Sequence, residues 1–398
     1  MNYPCRLFHP LAVVVALVAM TLPARPTAQT TLSVIMSELD NPRGLAFGPD
    51  GALYVAEAGR GGAGPCRPVG AQTFCYGPTG AVSRLRNGVQ QRIVEGLPSI
   101  AQAGTGTRAT GPHDIAMLGV GAAYVTIGLE ANPAVRNLFP EFAGFGRVVK
   151  ITPEGDWRFV ADISAYEAAH NPDGRVEDAD DDPSTPPTPV YDSNPYGVLA
   201  KAGGLLVTDA GANTLFAVEP NGSFSLVAVF HSRGTVPARP SFAPPHLEQF
   251  TDAVPTTVIA GPDGAYYVAE LTGVPFVEGT ANIYRVVPDE TPQLFLIEDA
   301  CIAGFKMIID MDFDADGNLY VLQHSTGLTG GMGLGKVVRI APDWSQADAC
   351  TQYRAGMRTD VVSGLTRPTS LVVGPDGALY ISRLGSTAGA GEVVRVER

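Results

Sequence analysis

His113 and Asp114 are adjacent in "GPHDIAM". A histidine beside a carboxylate is a side-chain pair suited to act as an oriented base. Carboxylates also recur at matching places elsewhere: Glu57 in "LYVAE", Asp209 in "LLVTD", Glu270 in "YYVAE" and Asp310 in "MIIDMDF". With Asp114 they offer the oxygen donors that calcium or another divalent cation takes, and such a cation polarises lactone and ester carbonyls. Arg43 in "NPRG", Tyr196 in "NPYG" and Arg367 in "TRPT" are polar residues at the openings of strands, placed to meet a ligand. His324 ends "LYVLQH" in the same way. A plainer use competes with all of these: polar residues at strand ends commonly cap turns and anchor loops. Neighbouring residues on a strand also face opposite sides, so His113 and Asp114 are not expected to touch.

Three motifs lose their chemical reading on inspection. "DFDADG" (312–317) opens like a calcium loop, but Gln323 stands at the twelfth position, where a bidentate Glu is needed. "GGMGLGKV" (330–337) resembles a phosphate loop, yet Val337 replaces the Ser/Thr and a strand pattern follows. "EDADDDP" (177–183) reads as a solvated acidic loop with, at most, loose calcium binding. The chain contains no G-x-S-x-G, which removes the nucleophile-elbow hydrolases.

The elements that position these residues come from a repeat. "GPDG" recurs in "GPDGALYV" (48–55), "GPDGAYYV" (261–268) and "GPDGALYI" (374–381). Pro presets the first central position of a type I turn, Asp suits the second, and Gly takes the left-handed position after it. Alternating β-rich runs flank each copy, so each is a hairpin. Six copies align, with the Phe47 position recurring at 117, 200, 260, 313 and 373. Two more strands follow each of the first five hairpins. In the fourth repeat these are "ANIYRVVPDE" and "QLFLIED". Four antiparallel strands per repeat at this period make a propeller blade. The sixth copy stops one strand short, at "GEVVRVER", and "TLSVIMSELDNPRG" (31–44) supplies the missing strand. The expected fold is therefore an all-β, six-bladed β-propeller over residues 30–398 as one domain, closed by its N-terminal strand.

Residues 1–28 read as a secretory leader: Arg6, the apolar run "LAVVVALVAMTL" and small residues ending at Ala28. That run is too short to span a bilayer comfortably, so no membrane span is expected. Beyond the leader lie four cysteines, Cys66, Cys75, Cys301 and Cys350, an even set for an oxidising compartment. Of the three possible pairings, Cys66–Cys75 with Cys301–Cys350 is the most economical. No C-x-x-C or Cys/His cluster supports zinc. The balance of 27 Lys+Arg against 40 Asp+Glu, without a basic run, argues against nucleic acid.

The segments "NPRGLAFGPDGALYVAEAG", "GPHDIA", "DSNPYGVL", "GLLVTDAGANTL", "GPDGAYYVAELTGVPF" and "GFKMIIDMDF" resemble the ScyD/ScyE family of the NHL/SMP-30-like propeller superfamily. The resemblance covers essentially the whole mature chain, apart from an acidic insertion at 173–189. It implies the fold and export, and it transfers no catalytic residues. Six-bladed relatives with lactonase or ester hydrolase activity hold a divalent cation in the channel; quinone-dependent sugar dehydrogenases use a His base and cationic residues, for which His113, Arg43 and Arg367 would stand.

Topology places the short turns on one face of the disc and the long loops on the other. The long ones are 58–79, 129–145, 164–193 and 323–335. Long loops on a rigid scaffold are where binding concentrates. The expected function is a secreted or periplasmic, monomeric binding or scaffold protein. It would take an extracellular ligand, glycan or protein at the channel mouth, around Arg43, Glu57, His113, Asp114, Tyr196, Asp209, Glu270, Asp310 and Arg367. No cofactor is required by this reading, with one calcium or other divalent cation as the alternative.

Overall fold

A computed structural model describes residues 32–177, 188–230, 252–274, 276–287, 295–296, 300–327 and 333–397. The six hairpins are the two inner strands of six blades. The innermost strands, here strand a, are Pro42–Phe47, Pro112–Met117, Pro195–Lys201, Pro255–Ala260, Ile308–Phe313 and Ser370–Val373. Each pairs antiparallel with a strand b: Leu53–Glu57, Ala123–Ile127, Gly204–Asp209, Tyr266–Glu270, Leu319–Gln323 and Leu379–Arg383. Strand b is buried almost end to end in the first five blades, because neighbouring blades cover both of its faces. That is why "LYVAE" and "LYVLQ" read as near-continuous apolar runs.

The turns between a and b are as the sequence requires. Gly51, Gly264, Gly317 and Gly377 all take left-handed φ, between 73° and 80°. The 312–317 segment is one of these turns: the Asp314 carboxylate accepts from the backbone N–H groups of Asp316 and Asn318. The "GGMGLGKV" segment runs into the strand Leu334–Ala341, and its residues 330–332 lie outside the described ones.

The ring closes as expected. The N-terminal strand Leu32–Leu39 pairs with Gly391–Val396, from Leu32 opposite Val396 to Leu39 opposite Gly391. Around the channel, strand a has an edge whose N–H groups no fifth strand satisfies, and buried donors need partners. Side chains of the preceding blade supply them. Asp114 accepts from Val198 N–H at 2.8 Å, Asp310 from Leu371 at 2.9 Å, Asp312 from Val373 at 2.8 Å, and Ser370 from Leu45 at 3.0 Å.

One strand assignment is corrected. The outer strand of the fourth blade is Ile302–Phe305, not "QLFLIED"; within that segment Phe295–Leu296 adds in parallel to the outer strand of the third blade. Ile302 and Phe305 are fully buried in the core, and Cys301 beside them is tied to Cys350 on a short helix, α2 (Ala349–Ala355). Cys66 pairs with Cys75, as the sequence economy favours.

The long loops carry structure of their own. The 58–79 loop is a disulfide-pinned hairpin, Cys66–Val69 against the start of Gln72–Arg86. The 129–145 loop holds two 3-10 turns, and the 164–193 loop begins inside a helix, α1 (Ile163–His170), capped by the Asp162 carboxylate on Ala165 N–H. The ends of the acidic insertion pair with each other, Val176 opposite Pro189; its residues 178–187 lie outside the described ones. No helix of the described residues is long and apolar enough to cross a membrane.

Candidate functional site: the channel mouth

Strand a does more than line the channel. In five blades its pairing with strand b shifts register just after the first residue: Pro42/Leu45, Pro112/Asp114, Pro195/Val198, Pro255/Thr257 and Ile308/Asp310. A bulge of this kind re-aims a side chain. The residues in the bulges are Arg43, His113, Tyr196, Thr256 and Ile309, with Thr369 at the corresponding place before the sixth strand a. Arg43, Tyr196, Ile309 and Thr369 form the floor of a cavity of about 440 Å³ at the mouth. The long loops roof it through Arg67, Phe74 and Glu130, and His324 comes in from the end of a strand b. Arg108 and Arg367 complete the rim.

The expected site residues fall into three groups. Arg43, Tyr196 and Arg367 line the mouth. The Arg43 guanidinium donates to the Gly385 carbonyl and to the Ala109 carbonyl at 2.9 Å, and Arg367 donates to the Ser386 hydroxyl. Tyr196 is pushed up to about 12 by burial, against the pull of Arg43, so its phenol is neutral. His113 lies beneath Tyr196, ring centroids 4.7 Å apart, with Nε2 3.7 Å from Glu130 Oε1. Burial first, then the charge of Arg43, lowers His113 to about 3, so it is a neutral imidazole. Gly128 closes over it: a Cβ there would stand 2.1 Å from His113 Cε1.

Asp114 and Asp310 form a second group, lower in the channel, where they line a further cavity of about 310 Å³. Their carboxylates are occupied: Asp114 by Ile115 and Val198 N–H, Asp310 by Thr257 and Ser370 hydroxyls and by Met311 and Leu371 N–H. Burial, then the Asp310 charge, holds Asp114 well above the ordinary carboxylate range, and burial raises Asp310. His113 and Asp114 thus serve different partners.

Glu57, Asp209 and Glu270 make the third group, at the ends of strands b and outside the cavity linings. Glu57 is fully enclosed and accepts from Asp40 N–H, the Ser83 hydroxyl and Arg92, the last at 2.6 Å. Asp209 accepts from the Ser193 hydroxyl and three N–H groups, and Glu270 from Asn282 and Tyr284. These carboxylates lock connections within their own blades. The five acids therefore do not fit a shared channel cation: among the described residues no three His, Cys, Asp or Glu side chains come together to hold a metal ion.

Sequence reasoning missed the charged mouth residues Arg67, Arg108 and Glu130, and also Phe74, Ile309 and Thr369. The three charged ones have no place in the repeat, Arg67 lying in the disulfide-pinned hairpin and Arg108 and Glu130 in irregular loop, so periodicity carries no signal for them. The disulfide-pinned loop was the available hint.

Fold and mouth together define a six-bladed propeller with a loop-roofed, arginine-lined channel entrance. No protein-family model and no curated protein matches the chain. Among solved structures it is similar to a proposed oxidoreductase (glucose dehydrogenase) of Thermus thermophilus, at 16% identity and a TM-score of 0.51, covering 93% of this chain and 100% of that one. The soluble aldose sugar dehydrogenase of Escherichia coli is similar at 12% identity and TM-score 0.50, covering 93% and 99%. A protein of unknown function from Bacteroides thetaiotaomicron matches at 10% and 0.50, covering 93% and 76%. At such identities the likeness is one of fold alone.

Proposed function

We propose that this chain is an exported binding propeller of the ScyD/ScyE type that receives a small ligand in the channel mouth. One observation carries the reading: strand-a bulges bring Arg43, Tyr196 and Ile309 to one cavity, and two separate long loops roof the same cavity. A rigid floor with an adjustable roof is the usual construction of a ligand pocket, and about 440 Å³ suits a small molecule. Two disulfides agree with an oxidising compartment and hence with the leader reading of residues 1–28.

The test is native mass spectrometry of the mature chain after exposure to a metabolite library, beside Ile309→Trp, which fills the floor of the cavity. Binding is expected in the natural chain and lost in the variant. Ligands that survive the substitution, or no ligand at all, would overturn the reading. Turnover of a lactone, or dye reduction after quinone reconstitution, would replace it with an enzymatic one.

A further inference from the structure

Resting on the mouth as a binding site, we propose that its ligand is a small organic polyanion, bearing two or more carboxylate or phosphate groups, held by Arg43, Arg67, Arg108 and Arg367. The chain is acidic overall, with a net charge of -13. Around this one cavity the balance reverses: four arginines face a single carboxylate, Glu130.

Elsewhere in the molecule arginines sit on acids. Arg92 meets Glu57 at 2.6 Å, Arg383 meets Glu392 at 2.6 Å, and Arg395 meets Asp376 at 2.8 Å. None of the four mouth arginines makes such an ion pair among the described residues. The hydrogen bonds of Arg43, Arg108 and Arg367 go instead to neutral acceptors: the carbonyls of Ala109 and Gly385, the Gln72 amide oxygen at 2.6 Å from Arg108, and the Ser386 hydroxyl. Neutral acceptors fix a guanidinium in place without cancelling its charge. The result is a preorganised cationic pocket, and little ordering entropy remains to be lost on binding.

Gathering four cations in one cavity opposes folding through mutual repulsion, and the blades do not need it: the bulge positions of the fourth and fifth blades are Thr256 and Ile309. The surplus charge is also felt by its neighbours. His324, which touches Arg43 and Arg367 electrostatically, is lowered by burial first and by those two charges as well. Guanidinium forks match carboxylate and phosphate oxygens in pairs, and four of them in one cavity ask for more than one such group. Phe74 and Tyr196 supply aromatic surface for the body of the ligand.

Calorimetry on the mature chain at low salt tests the proposal. The probes are citrate, benzene-1,3,5-tricarboxylate and pyrophosphate, against glucose and cellobiose as neutral controls. At least one polyanion is expected to bind, with affinity falling as salt rises. Arg67→Gln removes a guanidinium that no hydrogen bond among the described residues ties to the scaffold, and it should weaken binding about tenfold; Glu130→Gln removes the opposing carboxylate and should tighten it. A response of both variants in the same direction, or of neither, would overturn the proposal. So would polyanions no tighter than about 1 mM. Neutral sugars that bind while polyanions do not, with loss in Ile309→Trp, would sink the anionic class and leave the mouth reading standing. Silence from every probe and from the metabolite library would sink both.

Discussion

Glu167 shows how much a single side chain can cost this protein. It projects from α1 with only 1% of its surface exposed. One carboxylate oxygen accepts from Asp192 N–H at 3.3 Å; the other is buried without a partner among the described residues. Burial, followed by the charges of Asp173 and Asp209, raises it from 4.5 to about 8. The native state therefore keeps a proton that the unfolded chain releases between 4.5 and about 8. Its contribution to stability is present below that window and fades as pH rises through it. Asp312, raised to about 7 chiefly by burial, acts with the same sign. His113, lowered to about 3, acts oppositely: stability falls as pH drops below 6.5, because only the unfolded chain takes up the proton. Glu167→Gln, which cannot ionise, should flatten the alkaline decline. Denaturant midpoints measured across that window check this; equal slopes in both proteins would contradict it. None of this was visible in the sequence, where Glu167 is one acid in the long loop 164–193.

At the scale of elements, the strand-a bulge is the device that converts a repeat into a site. The hairpin "GPDG" lies on the short-turn face and only builds the scaffold. The residue after the strand-opening proline or isoleucine differs in every blade: Arg43, Tyr196 and Ile309 reach the mouth cavity, while His113 and Thr256 stay buried beside it. Gly128 protects this tier. A methyl group there would meet His113 Cε1 at 2.1 Å, His113 Nδ1 at 2.5 Å and Asn194 Oδ1 at 2.7 Å. Gly128→Ala should therefore cost about 1–3 kcal/mol through overpacking. It should also displace the His113–Tyr196 stack and weaken ligand binding in parallel. Thermal unfolding with ligand titration measures both; an unchanged melting temperature would show that the tier gives way freely. Because β-rich alternation is local, the strand pattern was legible in every blade but the fourth, whose outer strand it misplaced. The bulge was not, because it depends on register between two strands.

For the whole molecule, stability rests on closing a ring of six blades with few long-range ties. Side chains from strand a reach the next blade's N–H groups at four points, and the strand Leu32–Leu39 closes the last blade. The disulfides act at different ranges, with a sequence separation of 9 for Cys66–Cys75 and of 49 for Cys301–Cys350. In the chain-entropy account the longer loop is worth about 4 kcal/mol and the shorter about 3 kcal/mol. Replacing Cys301 and Cys350 by Ala should lower the denaturation midpoint more than replacing Cys66 and Cys75. The short loop roofs the mouth, however, so its loss should weaken ligand binding more. Paired unfolding and binding measurements separate the two; the reverse pattern would place the roof elsewhere.

The sequence by itself determined the six-bladed ring, the closing strand and the face that carries the loops, and it favoured the two disulfides over the other pairings. All of these follow from local alternation, turn chemistry and counting. It also brought Arg43, Tyr196 and Arg367 forward from their places at the starts of strands. Tertiary structure decided the rest. It turned Glu57, Asp209 and Glu270 into internal locks, because each finds its donors within its own blade. It set Asp114 and Asp310 against the open edges of neighbouring strands. It moved the fourth blade's outer strand to Ile302–Phe305, where burial and a disulfide outweigh the stronger β pattern of "QLFLIED". Arg67 was brought to the mouth by the disulfide-pinned hairpin and Arg108 by the irregular segment after the strand Val89–Gln102. Their final positions depend on packing between blades far apart in the chain, and no local pattern records that.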